Sequence, residues 1–281
     1  MNNARRDEYL GFFSSVATVY QNRFADPLWS RHPNVTTSII ESLGVFLEGY
    51  AFERQGRPED FSHVAADIIT ALGPLPLSPH DLWRQFRSKL GAGGLNIKNN
   101  PLAPKDTPFT DKNRRACQTR KYSVIEVANS LAVPLVQWIR CALREDRTDE
   151  VYAKISGITG VSDKIASFFL RDVAWRYGVF PSTSRWKLQP IDIWVRRSAP
   201  LLGMTGNDKA TAEWIVEVCS TVGGKPEEVN QGLWYFGSEI AGSQYRLKQA
   251  LTDLDKAKSL FHAHLDSLRR AASTIAAVAA T

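Results

Sequence analysis

Apolar residues recur three and four positions apart along nearly the whole of this 281-residue chain, and no stretch alternates in the way a half-buried strand requires. Residues 7–22 place Tyr9, Phe12, Phe13, Val16, Val19 and Tyr20 on one side of a helix. Residues 36–50 do the same with Ile39, Ile40, Leu43, Phe46 and Leu47, and residues 61–72 form a shorter helix stopped by Gly73 and Pro74. Pro79 fits the first turn of a helix over residues 82–90. Helical spacing returns at 124–144 in spite of Pro134, then at 149–155, 164–177, 193–201, 207–221, 226–241 and, as one long helix, 243–279. The expected fold class is all-α.

Residues 91–121 interrupt the pattern with Gly91, Gly93, Gly94, Asn99, Asn100, Pro101, Pro104 and Pro108. A loop that long inside a compact domain is usually functional. From Lys105 to Lys121 it carries six basic residues against two acidic ones, a local net charge of +4. A second basic group comprises Arg171, Arg176, Arg185, Lys187, Arg196 and Arg197, and the whole chain carries a formal +6. Such a balance admits a polyanionic partner without requiring one, since solvated faces give the same signal.

Several classes are excluded. No apolar run reaches the roughly 18 residues that span a bilayer, and residues 1–8 lack an apolar signal core, so a cytoplasmic protein without membrane attachment is expected. Cys117, Cys141 and Cys219 are odd in number and far apart, which removes a disulfide framework, a zinc knuckle and a cysteine-ligated iron–sulfur cluster. They are expected as buried thiols. The five histidines show no metal-ligand spacing beyond His262 and His264, which lie two apart on a helix and therefore diverge toward solvent. A serine-protease-like signature and a phosphate-binding P-loop are both missing.

Chemistry concentrates in two phrases. Ile158-Thr159-Gly160-Val161-Ser162-Asp163-Lys164-Ile165-Ala166 reads as a tight turn between helices, with Gly160 supplying positive φ. Its amides from Thr159 to Asp163, at the positive end of the following helix, suit a phosphate. A plain αα-corner remains the alternative. After a connector holding Gly178, Pro181, Arg185 and Trp186 comes Pro190-Ile191-Asp192-Ile193-Trp194-Val195, where Asp192 fits a helix N-cap or a catalytic carboxylate.

At these residues the chain resembles the helix-hairpin-helix DNA glycosylases, the superfamily of endonuclease III and the 8-oxoguanine glycosylases. Their hairpin reads approximately Leu-Pro-Gly-Val-Gly-x-Lys-x-Ala, matched here by Ile158, Thr159, Gly160, Val161, Lys164 and Ala166, with Ser162 in place of the second glycine. The run Lys164–Asp172 is similar to a phrase of one 8-oxoguanine glycosylase subgroup, and the 190–195 phrase to the family's Pro-Val-Asp-x-x-Val. Residues 229–237 resemble a later family helix, Asn-Gln-x-Leu-x-x-x-Gly. The likeness covers about residues 124–241, and the long gap from Lys164 to Asp192 is closest to the archaeal branch.

The resemblance implies a two-lobed helical bundle with a cleft between the lobes. Its parts would be an N-terminal region at 1–123, a glycosylase core at 124–241, and a C-terminal helix at 242–281 packing on the N-terminal region. It also implies a monomer that extrudes a damaged or modified base, by default 8-oxoguanine, from duplex DNA. Asp192 would stabilise the positive charge developing on deoxyribose as the base departs. Lys164 would attack C1′ and form a Schiff base, giving lyase activity; an exposed lysine that only balances phosphate is the alternative. Asn230 and Trp234, four apart on one helix face, would hold the base edge and stack on it, with core packing as the alternative for both. The DNA backbone would meet Thr159, Gly160, Ser162, Asp163, Arg114, Arg115 and Arg196. No cofactor is required, and a structural Na+ or K+ would sit on the carbonyls of Ser156, Ile158 and Val161. Three further readings stay open: excision of hypermodified phage bases in antiviral defence, a non-catalytic DNA-binding module, and a helical enzyme acting on small molecules.

Overall fold

The structure is a computed structural model and describes residues 3–52, 58–90, 100–104 and 122–279. Most of the Gly- and Pro-rich loop, including the basic run with Arg114 and Arg115, lies outside the described residues, as does Cys117. Among the described residues the chain is helical, and the β structure is limited to an isolated bridge between Tyr122 and Ile158. No helix among them is long and apolar enough to cross a membrane.

The chain gathers into two compact units, one of residues 25–188 and one joining residues 1–24 to 189–281. This differs from the expected division at 123 and 241. The reason is that the N-terminal helix finds its apolar partners among the C-terminal helices rather than in the segment that follows it.

The unit of residues 25–188 contains α2 (Asp26–Arg31), α3 (Ile39–Phe46), α4 (Pro58–Leu72), α5 (Pro79–Leu90), α6 (Val124–Asn129), α7 (Leu135–Arg144), α8 (Thr148–Ser156) and α9 (Asp163–Tyr177). Ser38 caps α3 by accepting from Glu41 N–H at 3.2 Å. Gly178, at φ 61°, ends α9 in the left-handed conformation that suits glycine. The core of this unit is aromatic: Phe46 and Tyr50 pack on Phe169 of α9, and Phe52, Phe61 and Phe86 form a second cluster. The helix expected over 124–144 is two helices. Pro134 takes the N-cap position of α7, because its ring and missing N–H do not fit a helix interior.

The other unit contains α1 (Asn3–Tyr20), α10 (Ile193–Ser198), α11 (Asp208–Thr221), α12 (Pro226–Tyr235), α13 (Gln244–Thr252) and α14 (Leu254–Ala279). A wide helical turn, Phe236–Ala241, extends α12. Phe12 and Phe13 of α1 meet Phe236, and Phe12 also meets Phe261 of α14 edge-on at 5.8 Å, so α14 packs on the N-terminal helix. The single long helix expected over 243–279 is broken at Asp253, whose backbone is extended (φ −149°, ψ 113°). Its carboxylate accepts from Asp255 N–H at 3.1 Å, the local side-chain bond by which aspartate competes with helix.

Of the thiols, Cys219 is buried as expected, whereas Cys141 is half-buried. His262 is exposed, but His264 is half-buried and its Nε2 lies 2.8 Å from the buried Tyr235 hydroxyl. A surface position for both histidines therefore holds for the first only.

Candidate functional site

The turn between α8 and α9 is built almost entirely by main chain. Gly160 has φ 77°, a conformation in which any side chain would be strained. Ser162 is extended (φ −86°, ψ 165°), so no glycine is required at that position, and its hydroxyl caps α9 by accepting from Ile165 N–H. Two of the amides expected to be open are engaged: Thr159 N–H donates to Tyr122 O at 2.8 Å, and Val161 N–H to Ile158 O at 3.1 Å. Those of Gly160, Ser162 and Asp163 have no partner among the described residues, and they head a 15-residue helix. An anion fits there on hydrogen-bonding and dipole grounds together.

Asp163 is exposed, yet its carboxylate bonds to the Tyr152 hydroxyl. Burial, followed by the Asp163 charge, pushes that hydroxyl up to about 12, so tyrosine stays a proton donor at any physiological pH. Lys164, one residue further, is half-buried, with Nζ 5.8 Å from the ring centre of Phe168. Arg171 shares this ring, with its guanidinium carbon 4.8 Å from the ring centre. Arg171 and Asp172 are both fully buried and paired at 2.9 Å, and Asp172 also accepts from the Tyr50 hydroxyl at 3.0 Å. Nothing in the residue order marks this pair as a unit, because two adjacent residues on a helix do not normally face each other.

In the other unit, Asp192 is both buried, at 6% exposure, and the N-cap of α10. Its Oδ1 accepts from the backbone N–H groups of Trp194 and Val195, each at 2.9 Å. Bonds of this kind favour a charged carboxylate and fix its orientation. Two residues earlier the Pro190 carbonyl accepts from Asn230 Nδ2 at 3.2 Å. Asn230 is 0% exposed, so it has no edge available to a base and instead braces the segment that carries Asp192. This is the arrangement of the core-packing alternative.

Trp234, half-buried on the same helix, stands edge-on to Tyr20 at 5.6 Å and to Phe24 at 5.9 Å, and Phe24 is 41% exposed. Gly237 lets Trp194 lie against the helix backbone, since an added Cβ would come within 2.7 Å of the tryptophan. Arg196 is exposed and makes two bonds to Asp208, at 2.9 and 2.5 Å, which hold the Asp208 carboxyl below the usual carboxylate range. A phosphate would have to compete with that carboxylate for it.

The structure thus gathers Thr159, Gly160, Ser162, Asp163 and Lys164 at one turn, together with Ser156, Ile158 and Val161 at its approach. It places Asp192, Arg196, Asn230 and Trp234 in the other compact unit. Among the described residues no cluster of three or more His, Cys, Asp or Glu side chains is placed to hold a metal ion. The carbonyls of Ser156, Ile158 and Val161 are neutral oxygens, a donor type suited to an alkali cation, and that of Ile158 already accepts one hydrogen bond. Tyr122, bonded to this turn from outside it and 49% exposed, was not singled out by sequence reasoning. Its only signal there was a lone aromatic after a basic run. No protein-family model, curated protein or solved structure matches the chain, so its function has to be argued from these residues.

Proposed function

We propose that the chain is a DNA glycosylase of the two-lobed helix-hairpin-helix type, removing a damaged or modified base from duplex DNA, with 8-oxoguanine as the default substrate. The observation that carries the reading is the state of Asp192. A carboxylate from the Pro-Ile-Asp phrase is held by two backbone amides at a helix start, downstream of a Gly160 turn with three open amides.

The chemistry follows from residue types. A base in the stack is out of reach of any side chain, so the nucleotide has to leave the helix first. As the bond between base and C1′ stretches, positive charge grows on the deoxyribose ring. A carboxylate fixed by N–H donors meets that charge without reorganising. The Lys164 amine, once it has lost a proton, attacks C1′; the electron pair of the glycosidic bond leaves with the base, which takes up a proton. The secondary amine then opens the sugar to a Schiff base, and loss of a proton from C2′ expels the 3′ phosphate. The open amides of Gly160, Ser162 and Asp163 take a backbone phosphate, and an alkali cation on the carbonyls of Ser156, Ile158 and Val161 would add positive charge there. Trp234, with the partly exposed Phe24 beside it, supplies aromatic surface for an extruded base.

The test is incubation of the purified protein with duplexes that each carry one lesion, including 8-oxoguanine and phage-type hypermodified bases, followed by alkali to reveal abasic sites. Cleavage on at least one duplex is expected. Salt-sensitive binding without cleavage on any of them would instead identify a DNA-binding module, and absence of DNA affinity at moderate salt would point to a small-molecule enzyme.

A further inference from the structure

Tyr122 leaves 49% of its surface in water, while Phe46, Phe52, Phe86 and Phe169 of the same unit are fully buried. A single exposed aromatic means little by itself. What distinguishes this one is the rigidity of its backbone. Tyr122 N–H donates to Gly157 O and its carbonyl accepts from Thr159 N–H, both at 2.8 Å, so the residue is laced to the α8–α9 turn from both sides.

The next residue is equally fixed. Ser123 caps α6 with its hydroxyl, its own N–H donates to Glu126 Oε2 at 2.6 Å, and its hydroxyl donates to Leu102 O at 3.2 Å. Val124 N–H adds a bond to Pro101 O at 2.8 Å. The main chain under Tyr122 is therefore ordered before any partner arrives, and little backbone entropy remains to be lost on binding.

We propose that Tyr122 enters the base stack beside the nucleotide whose phosphate is held at the α8–α9 turn, stacking its ring on the base left unpaired. The proposal rests on the nucleic-acid reading given above and adds to it the residue that fills the gap. The bonds to Gly157 and Thr159 hold the main chain of Tyr122 against the same turn that carries the open amides of Gly160, Ser162 and Asp163. A phosphate contact and a stacking contact carried by one turn are what a nucleotide step calls for, and stacking on an aromatic tolerates any base. The hydroxyl is not needed for this, so any flat aromatic side chain serves at position 122.

The experiment uses the full chain and a duplex with a tetrahydrofuran abasic analogue opposite 2-aminopurine, whose fluorescence falls when it stacks on a ring. Wild type is expected to bind this duplex at least about tenfold more tightly than an intact one and to quench the probe. Tyr122→Ala should lose that preference and the quenching while its circular dichroism keeps the helical signal of wild type, because the clamp is main chain. Tyr122→Phe and Tyr122→Trp should retain both. A Tyr122→Ala protein that quenches and discriminates like wild type overturns the proposal, as does a wild type with no preference for the abasic duplex. The lesion assay separates the two readings. Tyr122-dependent quenching without any excision removes the glycosylase reading and keeps the stacking residue. Excision with Tyr122-independent quenching does the reverse.

Discussion

Gly232 of α12 rides on the main chain of Phe13 in α1: a Cβ added to the glycine would lie 1.9 Å from the Phe13 carbonyl oxygen. The obstructing atom is backbone, so no side-chain rotation relieves it. Gly232→Ala is expected to lower stability by about 3 kcal/mol, at or above the upper end of ordinary overpacking, through separation of α1 from α12. Gly11→Ala, on the exposed side of α1 where nothing lies within 4 Å, should raise stability by up to about 1 kcal/mol because alanine is the better helix former. Urea unfolding of the two variants checks both. A neutral Gly232→Ala would mean that the helices do not approach so closely.

Asp192 has two separable duties. As an N-cap it accepts from Trp194 and Val195 N–H, and asparagine can accept in the same way. Asp192→Asn is therefore expected to melt within about 0.5 kcal/mol of wild type, and Asp192→Ala to lose about 1 kcal/mol. On the proposed chemistry both should bind DNA normally and lose excision by about 100-fold or more, since the amide carries no charge to meet the sugar cation. Near-normal excision by the stable Asp192→Asn protein would take the residue out of the mechanism.

The helical class was legible in the sequence because the spacing of Tyr9, Phe12, Phe13 and Val16 admits one secondary structure only. The helix starts at Pro79 and Asp192 were readable too, since a helix start depends on neighbours a few residues away. Long-range packing was not. Nothing local says that α1 belongs with α12, or that Asn230 spends its amide on Pro190 rather than on a base. Asp253 and Pro134 broke helices whose apolar pattern runs straight through them, because the pattern reports which face is buried and not whether the backbone is continuous. The turn at Gly160 was readable, yet which of its amides are open depended on Tyr122, 35 residues before the Gly157 carbonyl it binds.

The buried pair in α9 gives a third expectation. Arg171 and Asp172 are 0% exposed, and the Tyr50 hydroxyl donates a second bond to the carboxylate. Removing the acid alone takes the opposite charge from a fully buried guanidinium, so Asp172→Ala should cost about 3–5 kcal/mol. Tyr50→Phe deletes one hydrogen bond to a charged group and should cost about 1.5–3 kcal/mol. The double variant should fall short of the sum, because the two share Asp172. Strict additivity in denaturant unfolding would show that they act independently.

His264 links stability to pH. Burial, and after it the charge of Arg23, holds this imidazole below its ordinary value, with Glu239 pulling the other way. The unfolded chain therefore binds a proton at His264 before the folded one does, and stability from this group is complete above about pH 6.5 and declines as pH falls. Asp146, Asp149, Asp208 and Glu48 are held below the usual carboxylate range, so their losses come later, beneath about pH 4 to 5. Urea midpoints at pH 7.5 and 5.5 should drop more for wild type than for His264→Gln. Equal drops would mean that the histidine titrates alike in both states.

Lys164 sits where its chemistry can be isolated from its fold. The side chain is half-buried, with Nζ 5.8 Å from the ring centre of Phe168, and truncation is expected to change stability by about 1 kcal/mol. A lysine that attacks C1′ passes through a Schiff base, and borohydride reduces that carbon–nitrogen double bond to a permanent amine link between protein and DNA. Wild type mixed with a cleavable duplex and borohydride is therefore expected to give a cross-linked band, which Lys164→Ala should not give. Lys164→Arg keeps a positive charge for the phosphate but is not a nucleophile, so it should bind like wild type and also fail to cross-link. If Lys164→Ala still excises the base at the wild-type rate, then water attacks the sugar and Lys164 serves the DNA only as a cation. A cross-link that persists in Lys164→Ala would place the amine elsewhere in the chain.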